Sequence, residues 1–328
     1  MLFSVCCLIR LCLFLFVFVC FCLFIFYFES HSFKPFVSFL LYLLKIGDFM
    51  TELNVVRKSQ PESSPKKSPA VDMSLIRNVF VVMSGKGGVG KSTVACALAA
   101  GLAARGNHVG LMDCDIHGPS VPAIFGISPE DLQVENEKMI PVKPSPNLNL
   151  SVISIGLLLP DSDTPVIWRG PAKAGAIQQF FTDVSWGALD YLIIDLPPGT
   201  GDEPLGIMQL LPKNNGAIIV TIPQDIALAS VRKSLTFLQK LDVPLVGIVS
   251  NMDGLICPHC DVKIDLYNSD GIEKAAEDFK TSILARLPMD PAFSKAQEEG
   301  KIIEWMIQDS EWTQEFQKVL ETVEKKSV

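Results

Sequence analysis

The sequence of 328 residues lacks a basic stripe and has no basic patch interleaved with aromatic residues. Its formal net charge is −8, so the composition does not favour nucleic acid as a partner. The sequence also lacks a disulfide framework, because five of its nine cysteines lie in an apolar block before residue 50. Cys96 and Cys114 stand alone, and only Cys257 and Cys260 have the C-x-x-C spacing. We therefore expect a reducing, cytoplasmic setting in which this pair forms a metal or redox site.

The N-terminal segment, residues 1–49, concentrates the apolar residues of the chain. Residues 11–28 contain no charge and reach the shortest length that crosses a membrane as a helix. No small-residue cleavage site follows cleanly, which argues against a signal peptide. Two interpretations stay open: a membrane anchor in residues 11–28, or translation that begins at Met50, where a polar sequence typical of a cytosolic start follows. Residues 50–74, rich in proline, serine and charge, are predicted to be a flexible linker.

A glycine-rich loop lies between an apolar run of strand length, residues 79–83, and an alanine- and leucine-rich helical run, residues 92–105. It fits the P-loop pattern G-x-x-x-x-G-K-[ST]. Glycines let backbone N–H groups close around phosphate oxygens, and the start of the helix adds unpaired N–H groups. Lys91 supplies a charge to the outer phosphates, and the Ser92 hydroxyl can ligate Mg²⁺. The predicted nucleotide-binding residues of the loop are Gly85, Lys86, Gly87, Gly88, Val89, Gly90, Lys91, Ser92 and Thr93.

Residues 75–328 alternate predicted strands and helices and are expected to form one domain. The alternation predicts an α/β P-loop NTPase fold, a mostly parallel, doubly wound sheet with helices on both faces. The strand 108–112 leads to Asp113 and Asp115, and the strand 190–195 ends at Asp195 in the Walker B arrangement near Mg²⁺. Residues 196–202 are interpreted as a loop that changes path with the γ-phosphate. The other predicted elements are strands 150–155, 165–168, 216–221 and 245–250, the last strand with its turn at 284–288, and helices 172–184, 227–241 and 308–325.

The second chemical element is the segment from Asn251 to Cys260, which ends in the C-x-x-C pair. Two thiolates on one turn supply two ligands to a soft metal or a cluster, and such sites need four. Because the globular part has no second cysteine pair, the simplest completion is a symmetric dimer in which each chain supplies Cys257 and Cys260. The spacing alone leaves zinc and an iron–sulfur cluster open. A thioredoxin-like pair is disfavoured, because such a pair starts a helix after an early strand, whereas here a short predicted strand, 262–266, follows.

The loop with its early lysine, Lys86, resembles the deviant P-loop of the MinD/ParA/ArsA ATPases. Together with residues 113–120, residues 195–202 and the segment 251–260, it resembles the Mrp/ApbC family of iron–sulfur cluster carriers, over residues 73–324. This resemblance implies a homodimer that binds ATP and Mg²⁺, hydrolyses ATP slowly and holds a bridging [4Fe–4S] cluster. It further implies upstream cluster donors and recipient apoproteins as partners. The cysteines before residue 50 lack the spacing of the ferredoxin-like motif of some relatives, so no N-terminal cluster is expected.

The resemblance also implies roles for individual residues. Lys86 reaches the partner's nucleotide across the dimer and forms the catalytic set with Lys91 and Asp115, which helps orient the attacking water. Asn251 hydrogen-bonds the adenine, and Pro288 lies in the turn that walls the base. The implied metal ligands are Ser92 and Asp195 for Mg²⁺ and Cys257 and Cys260 for the cluster.

Two other functions are compatible with the same loop. A membrane-associated positioning ATPase of the MinD type, with structural zinc at the cysteine pair, is favoured by the apolar N-terminal block, but that class lacks a C-x-x-C at this place. A metal-insertion GTPase would carry the guanine signature N-K-x-D, whereas Asn251 is followed by Met252, so ATP is preferred. A membrane is an expected partner only if residues 11–28 are a genuine anchor.

Overall fold

The computed structural model describes residues 73–116, 118–158, 170–211, 215–257, 259–260, 262–267 and 270–327. The predictions for the N-terminal segment, for the linker as far as residue 72 and for the strand 165–168 lie outside these residues. Among the residues that are described, no helix combines the length and the apolar character needed to cross a membrane.

A parallel sheet forms the centre of the fold. Its strands lie in the order β10–β8–β7–β1–β6–β2–β5, and every neighbouring pair in this series is parallel. A short strand, β9, pairs antiparallel with the end of β8, and β3 and β4 form a separate hairpin. The strands are β1 (Ile76–Ser84), β2 (Val109–Asp113), β3 (Gln133–Glu135), β4 (Lys138–Ile140), β5 (Leu150–Ser154), β6 (Leu189–Asp195), β7 (Gly216–Thr221), β8 (Leu245–Ile256), β9 (Lys263–Ile264) and β10 (Ile283–Met289).

Helices connect the parallel strands and cover both faces of the sheet. Phe80 and Val82 of β1 belong to one apolar cluster, and Val79 and Val81 belong to a second, because successive strand residues point to opposite faces. This confirms the predicted doubly wound α/β architecture. The helices are α1 (Lys91–Ala104), α2 (Val121–Phe125), α3 (Gly170–Thr182), α4 (Asp202–Leu210), α5 (Asp225–Lys240), α6 (Asp270–Asp278), α7 (Pro291–Glu298), α8 (Ile302–Met306) and α9 (Glu311–Lys325).

Strands β8, β9 and β10 at one side of the sheet differ from the prediction, and β9 spans Lys263–Ile264 rather than residues 262–266. Strand β8 was expected to end at Ser250 but continues to Ile256, since its last residues pair with β9. Pro288, expected in a turn, lies inside β10. Asn251 pairs in register with Leu287, and Leu255 pairs with Met289. Between these pairs, β8 has the three residues 252–254, whereas β10 has only Pro288. A proline has no N–H to donate to the ladder, and a bulge in the facing strand accommodates it.

Helices α3 and α9 also differ from the prediction, at the end of the first and the beginning of the second. Helix α3 ends at Thr182 rather than at residue 184, because the backbone of Met139 in β4 forms hydrogen bonds with the residues that follow Thr182. The Met139 N–H donates to the Asp183 carbonyl at 2.7 Å, and the Ser185 N–H donates to the Met139 carbonyl at 2.9 Å. Helix α9 begins at Glu311, since the Ser310 hydroxyl caps it by accepting from the Thr313 N–H.

The carboxyl ends of β1, β2 and β6 meet at one edge of the sheet. Asp113 of β2 lies in register with Asp195 of β6, which in turn lies opposite Val82 of β1. Parallel sheets bind ligands at this edge, because the strands end there and helices begin. The sheet therefore gathers the predicted acidic residues beside the loop that joins β1 to α1.

Candidate functional site

The glycine-rich loop joins β1 directly to helix α1, as the P-loop pattern requires. Gly90 precedes the helix with a φ of 81°, a left-handed conformation that glycine adopts without strain. A Cβ at Gly90 would lie 2.1 Å from Asn251 Nδ2, and one at Gly85 would lie 2.5 Å from the backbone of Ser230 in α5. Packing from β8 and α5 therefore fixes the loop and requires glycine at both of these positions.

Lys91, the first residue of α1, points its ammonium into the acidic edge of the sheet. Its Nζ lies 2.5 Å from Asp195 Oδ1, 3.7 Å from Asp115 Oδ2 and 3.2 Å from the Ser92 hydroxyl. Burial lowers the pKa of Lys91, but the charges of Asp195, Asp115 and Asp113, together with the hydrogen bond to Asp195, outweigh burial, and the pKa lies above its ordinary value. The lysine therefore stays protonated and offsets part of the carboxylate charge.

Asp113 and Asp195 are both fully buried beside one another. Burial and, after it, the neighbouring charge of Asp195 raise the pKa of Asp113 from 3.8 to about 7. Hydrogen bonds from the Asp115 N–H and the Ser154 hydroxyl oppose this shift. Burial also raises the pKa of Asp195, although Lys91 opposes the shift. The single ammonium of Lys91 thus does not neutralise the negative charge of the carboxylates around it, and the site favours an additional cation or a bound proton.

The arrangement fits Mg²⁺ at the predicted ligands, Ser92 and Asp195. Asp195 Oδ2 is buried and accepts no hydrogen bond from any residue that the structure describes. The Ser92 hydroxyl lies at the start of α1, and both oxygens belong to the kind that Mg²⁺ prefers. Two protein ligands are sufficient, because Mg²⁺ in nucleotide sites completes its shell with phosphate oxygens and water.

The other two predicted catalytic residues lie on opposite sides of this centre. Asp115 is buried, and its N–H donates to Asp113 Oδ1 at 3.0 Å, which fixes the turn after β2. Lys86 is half-buried in the loop, where its carbonyl accepts from the Ser84 hydroxyl at 2.9 Å. Its side chain forms no ion pair with any described residue. The loop after Asp195 joins the same centre, since the Gly199 N–H donates to the Ser84 carbonyl at 2.8 Å.

The predicted base-binding residues flank the loop on the β8 side. Asn251 Nδ2 donates to the Val89 carbonyl at 3.0 Å, so the amide oxygen of Asn251 is available as an acceptor. Pro288 lies buried in β10, the strand paired with β8. Helix α7 approaches from the other side, because the Thr93 hydroxyl donates to Gln297 Oε1 at 2.8 Å. A cavity of about 370 Å³ beside these elements is lined by Leu255, Met289, Asp290, Pro291, Ser294, Lys295 and Glu298.

The cysteine pair lies in the hairpin between β8 and β9. Leu255 pairs with Ile264, Ile256 pairs with Lys263, and the Cys257 N–H donates to the Val262 carbonyl at 3.0 Å. Both thiols are unbridged; Cys257 is half-buried and Cys260 is exposed. No group of three histidine, cysteine or acidic side chains suited to a metal ion occurs among the described residues of this single chain.

Several residues of the site carry no motif. Ser154 ends β5 and donates to Asp113 Oδ2 at 2.7 Å, and Gln297 binds Thr93 from α7. Position at a strand end could have indicated Ser154, because β5 neighbours β2 at the ligand-binding edge. The sequence offers no signal for Gln297, since α7 is distant in the chain and approaches α1 through tertiary packing.

The fold and the loop together define a P-loop nucleotide-binding protein. A family model described as "ParA: NUBPL iron-transfer P-loop NTPase" matches residues 75–324. An iron–sulfur cluster carrier protein of Methanocaldococcus jannaschii is 44% identical over 255 residues, covering 78% of this chain and 87% of the relative. A cytosolic Fe–S cluster assembly factor, the Nubp2 homolog of Drosophila ananassae, is 49% identical over 218 residues, which cover 66% of this chain and 84% of the relative.

A solved structure shows the same architecture. A nucleotide-binding protein of Archaeoglobus fulgidus in complex with ADP aligns with a TM-score of 0.63 and 38% identity, over 73% of this chain and 91% of that one. The chain belongs to the ParA/NUBPL family of iron-transfer P-loop NTPases, in agreement with the resemblance read from its motifs.

We predict that Gly90→Ala destabilises the folded protein. The new Cβ would collide with Asn251 Nδ2, and alanine is strained at a φ of 81°. The expected cost is about 1–3 kcal/mol, the range for a strained backbone position, measured by chemical denaturation without nucleotide. Gly87→Ala is the matched control, because a Cβ there meets no described atom within 4 Å. Equal stability of the two variants would contradict the packing described for the loop.

We further predict that the nucleotide-free protein loses stability as the pH rises from about 4 to about 7. The pKa of Asp113 is raised from 3.8 to about 7 in the fold, so the folded protein keeps a proton that the unfolded chain releases. At about 1.4 kcal/mol per pKa unit, the loss is on the order of 4 kcal/mol. Denaturation curves across this range should show it, and Asp113→Asn should flatten the dependence. The same pH dependence in Asp113→Asn would contradict the assignment.

Proposed function

We propose that the protein carries an iron–sulfur cluster and hands it to recipient apoproteins in a cycle linked to ATP binding and slow ATP hydrolysis. The observation that carries the proposal is the placement of the Cys257–Cys260 pair at an accessible hairpin on β8, the strand whose Asn251 touches the P-loop. The cluster is cargo, and its holding site must therefore be accessible rather than enclosed. The names of the relatives, a cluster carrier and an assembly factor, support the same function.

A homodimer completes the proposed holding site. Each chain supplies the two thiolates of Cys257 and Cys260, whereas a [4Fe–4S] cluster is held by four. Two copies related by a two-fold axis supply four equivalent ligands. The cluster would then bridge the copies, and separation of the two hairpins would expose it. We propose the cytosol as the place of this function, as for the assembly factor of Drosophila ananassae.

Transfer to a recipient is proposed to occur by ligand exchange. A recipient thiol loses its proton and forms a new sulfur–iron bond, while the bond to Cys257 or Cys260 breaks and that thiolate takes up a proton. No electron is gained or lost in this exchange. The exposure of Cys260 supports it, because an incoming thiol can approach the iron that this residue holds.

ATP is proposed to bind between the P-loop and α7. Lys91 is assigned to the outer phosphates, and its ammonium must then leave Asp195, to which it lies bonded here. Bound Mg²⁺ would supply a positive charge that neutralises the phosphates. Ser92 and Asp195 would hold it, Asn251 would accept a hydrogen bond from the adenine amino group, and Pro288 would line the base. Asp115 is assigned to orient the attacking water.

Anaerobic reconstitution of the purified protein with iron and sulfide tests the central proposal. The expected product absorbs broadly near ~400 nm and holds about four irons per dimer. Tightly bound zinc without a cluster would overturn the proposal and would favour a positioning ATPase with a structural metal.

We predict that Cys257→Ala and Cys260→Ala each abolish cluster binding without unfolding the protein, because each removes two of the four ligands of the dimer. Iron content and the visible spectrum after reconstitution measure the loss. Cys96→Ala is the matched control, since its thiol is fully buried in α1 and cannot reach the hairpin surface. A cluster retained by Cys257→Ala or Cys260→Ala would refute the ligand assignment.

We also predict that Lys86→Ala binds nucleotide but loses ATP hydrolysis. Nucleotide affinity should persist, because Lys91 and the backbone of the loop remain, whereas the charge proposed to reach the partner's nucleotide is missing. Removal of one such donor typically lowers kcat by about 10²–10³-fold. Phosphate release and nucleotide titration measure the two quantities separately. Lys233→Ala, which changes an exposed lysine of α5, is the control, and normal hydrolysis by Lys86→Ala would exclude the role.

A further inference from the structure

The bulge in β8 lies midway between the nucleotide loop and the cysteine hairpin. Asn251 binds the Val89 carbonyl at one end of the bulge, and Cys257 begins the hairpin turn at the other end. Met252 has a φ of 56° and Gly254 a φ of 87°, so two of these three consecutive residues have a positive φ, which is unusual within a strand. A methionine disfavours this conformation, and the surrounding contacts must therefore hold it.

Asp253 provides these contacts. Its carboxylate is buried, and its Oδ2 accepts from the Ser250 hydroxyl at 2.7 Å and from Arg286 Nη1 at 3.0 Å. Arg286 belongs to β10, and its Nη2 donates to Glu273 of α6 at 2.6 Å. The carboxylate thus joins the bulge to the neighbouring strand and, through Arg286, to a helix on one face of the sheet. Charge-assisted hydrogen bonds of this kind are short and directional.

The bulge in β8 also determines the position of β9, which packs against Gly254. A Cβ on Gly254 would lie 2.8 Å from Lys263 Cε and 3.1 Å from the Ile264 carbonyl, so β9 packs directly over this residue. Beyond it, the described hairpin is held by the Leu255 and Ile256 pairs with β9 and by the Cys257–Val262 bond. The direction in which the hairpin leaves the sheet therefore depends on the backbone of Met252, Asp253 and Gly254.

We propose that Asp253 and Arg286 are positioning residues for the two cysteine ligands. Their ion pair holds the bulge of β8 and thereby sets the position of Cys257 and Cys260 relative to the nucleotide loop. The inference rests on the proposed function only in treating the cysteines as cluster ligands, since the geometric claim concerns the hairpin itself. Neither residue touches the cluster or the nucleotide in this scheme.

Hydrogen exchange of the full-length protein tests the geometric claim without cluster or nucleotide. In Asp253→Asn, the amides of the hairpin, that of Cys257 above all, should exchange about tenfold faster, because local opening no longer breaks the ion pair between Asp253 and Arg286. The amides of β1 should be unchanged within about twofold, since the core does not depend on this pair. Arg286→Gln should behave in the same way.

Glu273→Gln is the matched control, because it removes only the charge of the exposed partner of Arg286 and leaves the Asp253 contact intact. Its hairpin amides should exchange as in the wild type. Unchanged hairpin exchange in both Asp253→Asn and Arg286→Gln would overturn the inference. Equal acceleration in β1 and in the hairpin would overturn it too, since the pair would then stabilise the whole fold rather than position the ligands.

The rate of iron loss from the reconstituted protein tests whether the position of the two cysteines affects how firmly the cluster is held. Reconstituted Asp253→Asn should lose iron to a chelator at least about fivefold faster than the wild type and Glu273→Gln, the low end of ordinary coupling between sites. A release rate equal to that of the wild type would overturn the claim for the ligands. If the wild type itself forms no cluster, the proposed function fails, whereas hydrogen exchange still decides whether the pair positions the hairpin.

Discussion

The contact between Lys91 and Asp195 is the interaction around which the nucleotide site is organised. It joins the first residue of α1 to the last residue of β6 across the P-loop, with both groups buried. Charges removed from water are stable only when they are paired, so the position of each group depends on the other. Asp113 and Asp115 surround the same ammonium, and the excess of negative charge favours an additional cation or a bound proton. The sheet, through the register of β2 with β6, is what brings these charges so close.

Strand β8 gives the molecule its second organising feature. It leaves the core as an ordinary buried strand, contacts the P-loop through Asn251, bends at Met252 and Gly254, and ends beside the cysteines. Nucleotide site and cysteine hairpin are thus consecutive parts of one element. Under the proposed function, this connection would relate the nucleotide to the cargo, because no separate element lies between the two sites.

The sequence predicted the parts of the fold that local pattern determines. The apolar runs of β1, β6 and β7 identified the central strands, and the loop from Gly85 to Thr93 identified the class of protein. The end of β8 was wrong, because pairing with β9 and the missing N–H of Pro288 extend and bend that strand, and neither effect is local. Gln297 and the Asp253–Arg286 pair were not found, since they meet their partners only through tertiary packing. Ser154 was not found either, although its place at the end of β5 could have indicated it. The roles assigned to Lys86, Asp115, Asn251 and the cysteines stay predictions, supported by position.

The small size of β9 has a consequence for the life of a carrier. This strand contributes two residues to the sheet, and both are exposed, so the cysteine hairpin adds little to the apolar core that stabilises the fold. Small zinc domains differ, because they unfold when their metal leaves. Here an emptied protein would keep its sheet, its P-loop and its helices. Under the proposed function, loss of a cluster by delivery or oxidation would leave the polypeptide folded, and the same polypeptide could then bind a new cluster.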